Sequence, residues 1–216
     1  PSLLSFTDDG ATSTTSNLAV TGGDFDLGSY SSTEVTGSGI SASLNLVSTG
    51  GAYTSKVIGG MLGGASYAIK DDGTVWAWGF NNYGQLGDGT TTNSSTPVQV
   101  TGLTDVIDIA AAGLEGVLAN TGSAYALKSN GTVWAWGNNS FGQLGDGTTT
   151  NSSIPVQVSG LTGVIQVTGG GIFANALKSD GTVWAWGSNS AGQLGDGTTT
   201  NRSTPVQVRE ISSFAA

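Results

Sequence analysis

Neither cysteine nor histidine occurs anywhere in the 216-residue chain, and the two absences remove most familiar active-site chemistry. Without an imidazole or a thiolate there is no Ser-His-Asp or Cys-His nucleophile arrangement. There is also no disulfide framework and no ligand set of the kind that holds structural zinc. Charge is scarce: Asp, Glu, Lys and Arg make up 10% of the residues, against roughly a quarter in an average protein. What charge there is leans one way, 15 acidic side chains against 6 basic ones for a net of −9. Such a surface repels nucleic acid and anionic lipid within a Debye length, so DNA, RNA and membrane surfaces are set aside as partners. No apolar run reaches the roughly 18 residues that a membrane helix needs. The richest, Val106 to Ala119, is broken by Asp108, Gly113, Glu115 and Gly116, and membrane insertion is not expected. The chain opens at Pro1 with neither an initiator Met nor a basic-then-apolar leader, the pattern of a processed secreted chain or of an excised fragment.

Glycine, serine and threonine take the place of charge. The 36 glycines disfavour long helices, because each costs about 1 kcal/mol in a helix interior. Ser and Thr hydroxyls compete for the same backbone groups. Short strands joined by tight turns are the expected outcome, an all-β fold.

One string recurs three times. GTVWAWG occupies 73–79, 131–137 and 181–187. Each copy is followed by GQLGDGTTTN at 84–93, 142–151 and 192–201, then by PVQV at 97–100, 155–158 and 205–208. The repeat length is about 50 residues, that of a propeller blade, and the second copy carries additional residues between Val106 and Ser123. Within a copy, Ala68-Ile69-Lys70 leads through Asp71-Asp72-Gly73 into Thr74-Val75-Trp76-Ala77-Trp78, with Asn130-Gly131 and Asp180-Gly181 at the equivalent turns. An Asp-Gly or Asn-Gly pair between β-formers is a strong hairpin signal. The period of two puts Trp76 and Trp78 on one face of the outgoing strand, Val75 and Ala77 on the other. Both faces are apolar, which predicts a sheet stacked between other sheets. Pro97 is expected to open the next strand, Val98-Gln99-Val100, where a missing donor is tolerated.

These strings, from Tyr67 to Leu103, Tyr125 to Leu161 and Asn175 to Val208, resemble the bacterial form of the regulator of chromosome condensation repeat. The resemblance covers roughly residues 57 to 208. It implies propeller-type blades, each a four-stranded antiparallel sheet, and a protein that works by binding other proteins. The family usually carries seven blades, so three repeats read as a partial or oligomer-completed propeller. The expected divisions are 1–56, a β-rich cap or assembly arm, then blades at 57–103, 104–161 and 162–216. Two departures stand out. The family commonly has a histidine where this chain has Ala65, Ser123 and Phe173, and three blades do not close a ring, so two blade faces are left to be covered by something else.

Residues 1–56 do not match the repeat. Ser5-Phe6-Thr7, Leu18 to Thr21, Phe25-Asp26-Leu27 and Ile40 to Val47 read as strands between Gly- and Ser-rich turns. They either cap the first blade or add a strand to a neighbouring copy.

With His and Cys missing, carboxylates are what remains for acid-base or metal-ligand chemistry. Asp8-Asp9, Asp24 with Asp26, and Asp71-Asp72 are the pairs from which glycoside chemistry or calcium binding would have to be built. Asp71-Asp72 lies at a hairpin turn, and Asp88, Asp146 and Asp196 each sit alone beside glycine, which reads as turn formation. No catalytic, metal or cofactor-binding residue is assigned, and no enzymatic activity or cofactor is expected. Trp76, Trp78, Trp134, Trp136, Trp184 and Trp186 are expected in the core, with a sugar-stacking ladder as the other reading. Partner contacts are expected where the copies differ, in the loops after WAWG: Phe80, Tyr83, Asn138, Phe141, Ser188 and Ala191. The leading expectation is an extracellular or cell-surface structural and adhesive subunit, assembling with other copies of itself into filaments through its N-terminal strands. The alternative is a monomeric protein-protein binding module, inhibitor-like or exchange-factor-like. Carbohydrate has no residue-level support.

Overall fold

The computed structural model describes residues 54–59, 64–113 and 122–209 of the chain. Twelve strands form three four-stranded antiparallel sheets, each a simple meander. The first holds β1 (Thr54–Gly59), β2 (Ala65–Lys70), β3 (Val75–Gly79) and β4 (Ser94–Gln99). The second holds β5 (Val106–Ala112), β6 (Ser123–Lys128), β7 (Val133–Gly137) and β8 (Ser152–Gln157). The third holds β9 (Val164–Gly170), β10 (Phe173–Lys178), β11 (Val183–Gly187) and β12 (Arg202–Gln207). The described residues contain no helix, as the glycine content predicts. The expected N-terminal cap or arm, with Asp8, Asp9, Asp24 and Asp26, lies outside them. Its expected boundary after residue 56 falls inside β1, which begins at Thr54; Thr54-Ser55-Lys56 has too little apolar character to announce a strand.

The central hairpins follow from local chemistry. Gly73, Gly131 and Gly181 take φ of 73°, 75° and 81°, the left-handed region that a Cβ penalises. The preceding side chain then fixes the turn: Asp72 Oδ1 accepts from Thr74 N at 2.9 Å and from its hydroxyl at 2.6 Å. Asn130 and Asp180 hold Thr132 and Thr182 in the same way. Across the hairpin Ile69 faces Val75 and Tyr67 faces Ala77 on one side of the sheet, while Ala68 faces Trp76 and Ser66 faces Trp78 on the other.

The prolines differ from the sequence reading. Pro97, Pro155 and Pro205 lie inside β4, β8 and β12 rather than at their starts. These are edge strands, and the pairing to β3 jumps from Ala77↔Val98 to Gly79↔Ser94, so Pro97 falls in a bulge that asks no ladder bond of it.

The core lies between sheets. One cluster joins Tyr67, Ile69, Val75, Ala77, Leu86 and Val100 of the first sheet to Val106, Ile109, Ala124, Ala126 and Trp136 of the second. A second joins Tyr125, Leu127, Val133, Ala135 and Leu144 to Val164, Val167, Ala174, Ala176 and Trp186. Each fully buried aliphatic or aromatic side chain contributes about 1.5–3 kcal/mol, so stability resides in the seams. Neighbouring sheets meet chiefly along β1, β5 and β9. There a methyl on Gly169 would fall 2.8 Å from Ala112 Cβ, which accounts for the small residues at Ala110–Ala112 and Gly169–Gly170.

Candidate interaction site

Each sheet has a leading face, carrying the two tryptophans, and a trailing face that receives the next sheet. The seam is built around one backbone carbonyl. Gln85 O accepts the Tyr67 hydroxyl of its own blade at 2.8 Å and the Trp136 indole N–H of the next at 2.7 Å. Gln143 O does the same for Tyr125 at 3.1 Å and Trp186 at 2.9 Å. Two lone pairs thus take two donors in a water-free place, where an unmade hydrogen bond would be costly. The rings meet edge to face, Tyr67 with Trp136 at 6.1 Å and Tyr125 with Trp186 at 6.2 Å between centroids, the arrangement that ring quadrupoles favour. Burial pushes both phenols well above their ordinary pKa, so they remain donors at neutral pH.

Backbone bonds complete the seam. Val106 N donates to Gly73 O at 3.1 Å and Val164 N to Gly131 O at 3.0 Å. At the other side Gly89 N donates to Ser153 O at 2.9 Å and Gly147 N to Ser203 O at 2.8 Å. Close approach needs glycine here: a Cβ on Gly84 would lie 2.5 Å from Ser153 Cα, and one on Gly142 2.7 Å from Ser203 Cα.

The carbonyl is aimed by the loop that carries it. Asn81 Oδ1 accepts from Leu86 N at 2.8 Å, while its Nδ2 reaches Thr92 O at 3.1 Å and Thr90 O at 3.2 Å. Asn139 and Asn189 repeat these bonds in the other blades. Asp88, Asp146 and Asp196 hold the loop by accepting from the backbone N–H two residues on. In the third blade Asp196 also pairs with Arg202 at 2.7 Å, where the other copies have Ser94 and Ser152. Hydrogen bonds from Thr198 and Arg202 hold its carboxyl well below the usual range.

The six tryptophans fall into three environments. Trp136 and Trp186 are fully buried in the seams. Trp134 and Trp184 are half-buried beside them. Trp76 and Trp78, on the leading face of the first blade, are also half-buried. Lys70 Nζ stands 4.1 Å from the Trp76 ring centroid, and the Trp76 indole N–H is buried without a partner. Of the six rings expected in the core, Trp136 and Trp186 lie in it and Trp134 and Trp184 pack against it, while Trp76 and Trp78 on the first blade's leading face are only half-buried.

Of the residues expected to meet a partner, Phe80, Tyr83 and Phe141 are half-buried at the loop surface and Ala191 is exposed. Asn138 and Ser188 are 2% and 3% exposed and present no surface, a correction to the sequence reading. Asn138 instead receives Gln143 Nε2 at 2.6 Å and the Ser123 hydroxyl at 2.7 Å on its carbonyls. The exposed tips of these loops are Asn82, Ser140 and Ser190, which sequence reasoning misses. It misses Gln85 and Gln143 too, because the atom that matters is a main-chain oxygen. The one signal that points there is the asparagine that follows each WAWG by two positions and is the same in all three copies. Among the described residues there is no group of three or more acidic side chains placed to hold a metal ion.

The family model for the regulator of chromosome condensation (RCC1) repeat matches residues 72–115, 130–177 and 180–215. The chain is 36% identical over 96 residues to the Protein RCC2 homolog of Danio rerio, an alignment covering 44% of this chain and 18% of that protein. In structure it is similar to human WBSCR16, with a TM-score of 0.58 and 26% identity over 74% of this chain and 38% of that one. It is also similar to Prp20p of Saccharomyces cerevisiae, with a TM-score of 0.62 and 16% identity over 73% of this chain and 39% of that one. The chain therefore spans well under half the length of each.

Proposed function

Because the chain belongs to the regulator of chromosome condensation (RCC1) repeat family, we propose that it acts as a protein-binding module whose contact surface is the set of loops following β3, β7 and β11. The observation that carries this reading is the contrast within those loops. Asn81, Asn139 and Asn189 are buried and identically bonded, while the residues they support differ from blade to blade: Phe80 and Tyr83, then Phe141, then Ala191. A rigid scaffold with variable, partly exposed aromatics is how binding surfaces concentrate their energy. Prp20p, whose fold is similar, has binding properties toward Gsp1p and histones; a basic partner such as a histone would suit the net charge of −9. The extracellular adhesive role rests on composition, the unclosed blade count and the unmatched N-terminal segment, and the binding module is the better supported reading.

The test is capture from an extract by the immobilised chain and by the variant Phe80→Ser, Tyr83→Ser, Phe141→Ser. A protein retained by the first and lost from the second, with melting temperatures within a few degrees, supports the reading. Equal retention by both would place binding elsewhere.

A further inference from the structure

Each blade presents one side chain on the same backbone mount. In the loop after β3 the Tyr83 N–H donates to Gln85 Oε1 at 2.8 Å. The Phe141 and Ala191 N–H groups donate to Gln143 Oε1 and Gln193 Oε1 at 2.9 Å in the loops after β7 and β11. The following glycine closes the turn behind each of them, Gly84 N to Asn81 O at 2.8 Å, Gly142 N to Asn139 O at 2.9 Å and Gly192 N to Asn189 O at 2.9 Å. Main chain held at two successive N–H groups leaves the side chain free to vary, and here it is Tyr, Phe and Ala. Tyr83 and Phe141 are half-buried and Ala191 is exposed. The other variable position, Phe80, Asn138 and Ser188, behaves differently. Asn138 and Ser188 are buried, and the Asn138 side chain is spent on bonds within its own loop.

The segments that carry these mounts are without charge: 80–84, 138–142 and 188–192 contain no Asp, Glu, Lys or Arg. The carboxylates next along the loops, Asp88, Asp146 and Asp196, are engaged by the threonine two residues on and by Asn81, Asn139 and Asn189. Exposed carboxylates stand instead at the opposite ends of the strands, Asp71 and Asp72 before β3, Asp180 before β11, and Asp105 against Gly73. An aromatic ring in uncharged surroundings gains its energy from apolar burial. A charge brought against it would lose water without meeting its opposite.

We propose that Tyr83, Phe141 and Ala191 decide what the loop surface accepts, one side chain per blade, and that the ligand they accept is an uncharged, apolar stretch of a partner protein. The inference rests on the reading of these loops as the contact surface. It narrows the variable loop residues to one position in each blade and adds the chemistry of what is bound there. The third mount carries only a methyl group, so the anchoring rings are those of the first and second blades.

The experiment pans a displayed library of random short peptides against the whole chain and measures the recovered peptides by fluorescence polarisation. They are expected to be rich in Leu, Ile, Phe and Trp and poor in charged residues. Binding is expected to be as tight in about 1 M sodium chloride as at low salt, since only ionic contacts are screened there. Tyr83→Ser and Phe141→Ser are each expected to weaken it by about tenfold or more. Ile107→Ser, which removes a side chain 59% exposed on β5, is expected to leave it unchanged, with melting temperatures checking that all three variants fold. Peptides rich in Lys and Arg that salt releases, yet that need Tyr83 and Phe141, overturn the apolar class and leave the loop reading standing. Peptides indifferent to both ring variants overturn the proposal together with the loop reading, and a library that yields no binder overturns the proposal.

Discussion

The second and third blades share the strings VWAWG and GQLGDGTTTN in full, yet they are not alike. In the second, Ser123 to Leu127 and Ala135 to Asn139 are buried without interruption. In the third, every other residue of β10 opens to solvent, and Gln193 and Gly195 are uncovered where Gln143 and Gly145 are sealed. Part of the difference is local, since Asn175 of β10 stands where β6 has Tyr125, and part is the neighbour. The second blade has a neighbour on each side and the third has one among the described residues, so an identical residue contributes differently according to what lies across the seam.

Truncating the same ring at two positions should break that comparison open. Trp136→Ala removes a fully buried ring and its bond to Gln85 O, and should cost about 3–5 kcal/mol in urea denaturation. Trp78→Ala removes a half-buried ring on the open leading face, and should cost about 1–2 kcal/mol. Equal losses would mean that the end face is as well packed as the seam. A glycine pair sharpens the point at smaller scale. Gly142→Ala combines the strain of φ at +79° with a Cβ 2.7 Å from Ser203 Cα, about 3 kcal/mol together. Gly192→Ala meets only Thr198 O at 4.0 Å and keeps the strain of φ at +76° alone, about 1–2 kcal/mol. Similar melting temperatures for the two variants would show that the seam yields.

The smallest effect concerns acid. Hydrogen bonds from Thr182 hold Asp180 at about 2, and Thr198 and Arg202 lower Asp196 further. A carboxyl whose pKa is lower folded than unfolded stabilises fully above its unfolded value of about 3.9. That contribution fades as pH falls toward the folded value. With no histidine in the chain, the melting temperature should be level from pH 6 to 8 and drop below about pH 4. Asp196→Asn should start lower and lose part of that acid sensitivity; an unchanged acid slope would remove Asp196 from the account.

What is legible in the sequence is what each repeat does alone. The Asp-Gly and Asn-Gly turns, the alternation through Val75 to Trp78 and the repeat length lead to four-stranded antiparallel blades because all three are short-range signals. Pro97 is misplaced by such reasoning because a bulge shifts the register, and no residue pattern marks the shift. Asn138 and Ser188 read as surface because they vary between copies, whereas variation there reflects the packing beneath each loop. The seam is invisible in Gln85, whose side chain holds Tyr83 N while its main-chain carbonyl joins two blades. Residues 1–53 are described by their sequence alone.

The carbonyl shared by Tyr67 and Trp136 has a consequence for how such a protein changes over generations. Each repeat carries both halves of the joint, the acceptor loop and the indole that reaches the loop before it. A tandem duplication of one repeat in the gene therefore adds a blade together with the means of attaching it on either side. Copy number can drift without any new contact having to evolve, and the near-identity of the three copies is what a lineage of such duplications leaves behind.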